Sequence, residues 1–128
     1  MQICDESIDL WTIPLSNAGD RFQDHEQSLS ADERQRATRF RSAKDRRHFT
    51  LARGSLRSIL SQYLGTQAEA VRFSYGTHGK PHLANTHEPS LEFNLSHSGE
   101  YALCALTKSH PIGIDIEKIR TADANYYL

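Results

Sequence analysis

A chain of 128 residues with 38% apolar and 24% charged side chains has the size and balance of one globular domain, burying about two-thirds of its unfolded surface. Its formal net charge of −1 excludes a global pull toward nucleic acid or membrane, and no apolar run approaches the roughly 20 residues that span a bilayer. Cys4 and Cys104 stand in unlike contexts and make no disulfide framework, while the first ten residues carry acids and no basic segment before a hydrophobic one, so a cytoplasmic setting without a signal peptide is the expectation.

In chain order, residues 8–15 (IDLWTIPL) read as a first strand, with Pro14 favouring a sheet edge. Residues 16–27 are polar and turn-rich and carry no element signal. Ser30-Ala31-Asp32-Glu33 has the form of a capping box and predicts a helix from Ala31 to about Phe40. Ser42 opens a second helix, whose apolar positions Phe49, Ala52, Leu56, Ile59, Leu60, Tyr63 and Leu64 follow the 3.6 period and which stops at Gly65. Gly54 lies inside that helix at a cost of about 1 kcal/mol relative to Ala, which calls for a close packing contact.

Beyond the helices the period changes to two. Residues 71–75 read as a strand, 76–79 as a turn, and 81–83 as a short strand pairing back. Residues 85–90 read as a loop. Residues 91–95, 101–106 and 112–117 read as three further strands, the first two joined by a hairpin at Ser98-Gly99-Glu100. Cys104 falls in an apolar strand pattern and reads as a small buried hydrophobe. The expected fold class is α+β: an antiparallel sheet with a long amphipathic helix packed on one face. Residues 121–128 form a tail without a clear element.

Two features carry chemistry. Nine of the 15 Lys and Arg residues fall between Arg34 and Arg57, a local basic field suited to an anionic ligand. In Ile112-Gly113-Ile114-Asp115-Ile116-Glu117 the isoleucines take one strand face and both carboxylates the other. At roughly 3.3 Å per residue the two acids sit about 6.6 Å apart along the strand, a spacing that can converge on one Mg²⁺. The plainer alternative is a solvated strand face that carries two acids. His78, His82 and His87 match no zinc spacing.

Gly79-Lys80-Pro81, then Phe93-Asn94-Leu95-Ser96-His97-Ser98, then Ile112 to Glu117 come in an order and at separations that resemble the 4′-phosphopantetheinyl transferases of the Sfp type. The resemblance runs from about Leu29 to Arg120. It implies one half of a two-half fold and Mg²⁺-dependent transfer of 4′-phosphopantetheine from coenzyme A to a serine of an acyl or peptidyl carrier protein, releasing 3′,5′-ADP. It implies Asp115 and Glu117 as Mg²⁺ ligands and catalytic residues. Lys80, Ser96, His97, Asn94, Arg36 and Arg53 become the residues that meet coenzyme A, His97 also near the chemistry. Asn94 fits a role in fixing the turn. Ser96 and His97 are not a nucleophile and base, because neighbouring strand residues point to opposite faces.

The sequence departs from the family in one respect: the [FW]-x-x-K-E segment of the second half is absent from these 128 residues. The expectation is therefore a shortened or split transferase, with weak coenzyme A and Mg²⁺ binding, little transfer by this chain alone, and a missing C-terminal half or second subunit. A non-catalytic module that binds nucleotide or nucleic acid through the basic helices at 31–64 is the alternative. It would show steep salt dependence on any duplex, and aromatic residues do not interleave the arginines as single-strand binding would want.

Overall fold

The structure, a computed structural model, describes residues 2–3, 7–16, 21–84 and 91–108. The strand expected at 112–117, with Asp115 and Glu117, lies outside the described residues, as do the 85–90 loop and the 121–128 tail. The described elements are β1 (Asp9–Pro14), α1 (Arg21–Ser28), α2 (Ala31–Thr38), α3 (Ala43–Leu64), a 3₁₀ turn at Ala68–Ala70, β2 (Phe73–Tyr75), β3 (Pro81–Leu83), β4 (Leu91–Ser98) and β5 (Tyr101–Lys108).

The helix boundaries follow local chemistry. The Ser30 hydroxyl accepts from the Glu33 N–H at 3.2 Å while the Glu33 carboxylate accepts from the Ser30 N–H at 2.8 Å, closing the capping box. Ser42 caps α3 through the Asp45 N–H at 2.9 Å. Gly65 ends α3 in the left-handed region, at φ 68°, where an L side chain would be strained.

The strands divide into two antiparallel sheets among the described residues, rather than the single sheet expected. One has the order β1-β5-β4 and the other is the β2-β3 hairpin. In the larger sheet, Trp11 and Ile13 of β1, Ala102, Cys104 and Leu106 of β5, and Phe93 and Leu95 of β4 share one face by register. That face meets Leu51, Leu56, Ile59 and Leu60 of α3 in a core where Leu56, Leu60, Ala102, Cys104 and Leu106 are fully buried. Burial pushes the Cys104 thiol up to about 12, so it is an inert apolar filler. The indole N–H of Trp11 donates to the Tyr63 hydroxyl at 2.9 Å, and that hydroxyl donates to Asp9 at 2.7 Å, binding β1 to the end of α3. Burial first, then the Asp9 hydrogen bond, raises Tyr63 to about 12.

The helix α1 was not expected. It packs on α3 at the one glycine of that helix. A Cβ on Gly54 would come 2.4 Å from the Cβ of His25. Gly54 thus stands where two helix backbones approach closely, which is the contact its place in the sequence calls for. Gly54→Ala gains helix propensity worth about 1 kcal/mol but forces α1 off α3, and should cost about 1 to 2 kcal/mol net in denaturant unfolding. His25→Ala should not rescue it, because the colliding atom is the Cβ that alanine keeps.

Candidate functional site

The expected ligand-binding residues come from α2, α3, the β2-β3 turn and β4. Arg36 lies in the last turn of α2 and is exposed. Lys80 follows Gly79, whose φ of +77° lets the β2-β3 turn close through the Gly79 N–H to the Gly76 carbonyl at 3.0 Å. Asn94 and His97 lie on β4, the outer strand of the described larger sheet.

Folding brings these together around one cleft of about 450 Å³. Arg36, Arg53, Lys80, Asn94 and His97 all line it. Its apolar wall is Phe40, Phe49, Pro81, Phe93 and Leu95. His48 and Asp45 of α3 also reach it, and neither these two nor Phe40 and Phe49 were read from the sequence as part of a site. Ser96 is not among the lining residues.

The basic residues fall into two groups. Arg53 and Arg57 are buried, at 6% and 2% exposure, and both pair with Glu33 at 2%. Arg53 donates to Glu33 at 2.9 Å and Arg57 at 2.7 Å. Arg57 spends its remaining reach on the Ala68 and Val71 carbonyls. Burial works to raise the Glu33 pKa, but the hydrogen bonds from Arg57, the Ser30 N–H and Arg53 outweigh it and hold the carboxyl below its ordinary value. Arg53 thus borders the cleft with its charge already shared with Glu33.

Arg36 and Lys80 form the second group. Among the described residues neither side chain makes an ion pair or hydrogen bond. Arg36 stacks over Phe49, its guanidinium carbon 5.4 Å from the ring centroid, which holds the fork at the rim. Phe49 itself packs against Phe40 at 5.5 Å. The result is two cations without an ion pair among the described residues, and an imidazole, around a half-apolar trough. Such a site suits an anion that also carries an apolar or aromatic part. No group of three or more metal-ligating side chains occurs among the described residues.

Fold and cleft together define an α+β domain with a basic, aromatic-walled cleft beside the β4 edge of its larger described sheet. The sequence profile described as 4′-phosphopantetheinyl transferase, N-terminal, matches residues 16–109. The chain is 45% identical over 121 residues to the 4′-phosphopantetheinyl transferase HetI of Nostoc sp., covering 94% of this chain and 51% of that protein. It is 36% identical over 92 residues to the transferase Sfp of Bacillus subtilis, covering 72% and 40%. It is 31% identical over 94 residues to the L-aminoadipate-semialdehyde dehydrogenase-phosphopantetheinyl transferase of Mus musculus, covering 71% and 30%. The chain therefore belongs to the 4′-phosphopantetheinyl transferase family. It spans about half the length of HetI and less of the other two.

Proposed function

We propose that this domain holds coenzyme A for transfer of its 4′-phosphopantetheine to a carrier-protein serine, the reaction completed by the second half that the longer relatives possess. In the reaction the serine Oγ forms a bond to the phosphorus that bears pantetheine. The bond from that phosphorus to 3′,5′-ADP breaks, and the hydroxyl proton passes to a base. The observation that carries this reading is the convergence of Arg36, Lys80 and His97 on one aromatic-walled cleft.

Arg36 and Lys80 supply charge to the nucleotide phosphates, and His97 adds a donor from the sheet edge. Phe40 and Phe49 give the apolar side of the trough. Asp115 and Glu117, outside the described residues, are the proposed Mg²⁺ ligands; the ion, when bound, neutralises charge on the pyrophosphate. The donor set fits this division, since the described cleft contributes positive and neutral groups and one carboxylate, Asp45.

The geometry does not favour the alternative of a nucleic-acid surface. Arg53 and Arg57 are buried, the Arg34 and Arg46 guanidinia are bound to backbone carbonyls, and Arg47 stacks on Phe22. Calorimetric titration of coenzyme A with and without Mg²⁺ tests the proposal. The wild-type chain should bind more tightly with Mg²⁺, by roughly ten-fold for one lost charge-assisted contact. Asp115→Ala should lose that increment while keeping its thermal unfolding. An increment that survives in the variant would remove Asp115 from the metal site.

A further inference from the structure

The β2-β3 hairpin is too small to set its own position. Each strand has three residues, and an isolated two-stranded hairpin is marginal in water. Its open end is anchored in the core, where Phe73 meets Phe93 edge-on at 6.0 Å. Its turn end carries Lys80 and sits at the cleft. There Tyr75 pairs with Pro81, the residue next to Lys80. Tyr75 is 48% exposed, so burial does little to hold it. Its hydroxyl accepts from Arg53 at 2.7 Å, and the same Arg53 nitrogen donates to Glu33 at 2.9 Å. Glu33 lies on α2, one turn before Arg36.

A continuous polar link thus runs from the helix that carries Arg36, through Glu33 and Arg53, to the hairpin end that carries Lys80. We propose that Tyr75 is a positioning residue: its hydrogen bond to Arg53 fixes the hairpin end so that Lys80 stays at the cleft that Arg36 also lines. The inference rests on the proposed coenzyme A site, and deepens it. Tyr75 does not touch the ligand in this scheme; it acts only through Lys80.

A double-mutant cycle on 3′,5′-ADP affinity tests it, with thermal unfolding measured in parallel. Tyr75→Phe keeps the ring and removes only the hydroxyl. It should weaken binding roughly five-fold, the worth of one hydrogen bond. In a Lys80→Ala background it should change nothing further, because the group it positions is gone. Equal weakening in both backgrounds would mean a general structural role and overturn the proposal. So would unchanged affinity in Tyr75→Phe when Lys80→Ala itself binds weakly. If Lys80→Ala has no effect, the coenzyme A reading of the cleft fails, and this inference with it.

Discussion

Glu33→Ala should lower the stability of the domain by about 3 to 5 kcal/mol, the cost of breaking a buried ion pair from one side. Glu33 serves two functions that are separable. It completes the capping box of α2, worth about 1 kcal/mol, and it balances two arginines that are almost wholly buried. Removing it leaves Arg53 and Arg57 as uncompensated charges between α3, the 3₁₀ turn and β2. Against a typical total of roughly 5 to 15 kcal/mol, that loss leaves many molecules unfolded at ordinary temperature. Glu33→Gln separates the two functions, because glutamine can close a capping box but carries no charge. If denaturant unfolding places Glu33→Gln near wild type, the cap dominates and the ion pairs contribute little.

The same residue sets an acid limit. Its carboxyl is held below the ordinary value of 4.5 in the folded state, so the unfolded chain takes up its proton first as pH falls. The stabilisation is complete above about that value and is lost as pH drops through the lower folded value. Wild type should therefore lose stability on acidification in this window, and Glu33→Gln should lose less.

Much of the fold was legible because short-range chemistry decided it. Ser30, Glu33, Ser42 and Gly65 mark the ends of α2 and α3 through hydrogen bonds and a left-handed residue that local sequence dictates. The β4-β5 hairpin follows from alternation and from Gly99 in the turn, although β4 runs on to Ser98, past the end at Leu95 that the apolar pattern suggests. The helix α1 was not legible. In RFQDHEQS only Phe22 is a large apolar residue, so there is no stripe to read, and the helix exists because α3 offers it a surface at Gly54. Nor does composition tell a solvated arginine from a buried one. Arg53 and Arg57 counted toward a basic field, yet they face inward. One signal was available: they follow Phe49 at steps of four, beside the Ala52, Leu56 and Leu60 stripe, which is the buried side of the helix. In the cleft, motif residues Lys80, Asn94 and His97 were found from sequence, whereas Phe40, Phe49 and His48 depend on how α2 and α3 meet.

The second large effect concerns Arg36 and Lys80, which form no ion pair or hydrogen bond among the described residues. A charge-assisted contact to phosphate contributes about 1.5 to 3 kcal/mol when well formed, and exposure and salt take it toward the lower end. Arg36→Ala and Lys80→Ala should therefore each weaken coenzyme A binding about ten-fold, and together about a hundred-fold. Neither should disturb folding, since both side chains are exposed and make no polar contact with the rest of the described chain. Added salt should weaken the wild type more than the double variant. The deciding measurement is calorimetric titration of coenzyme A into wild type and Arg36→Ala/Lys80→Ala at one fixed ionic strength. Measurable binding by the first and about a hundred-fold weaker binding in a folded second is the expected result; equal affinities in the two would show that the nucleotide is held somewhere other than this cleft.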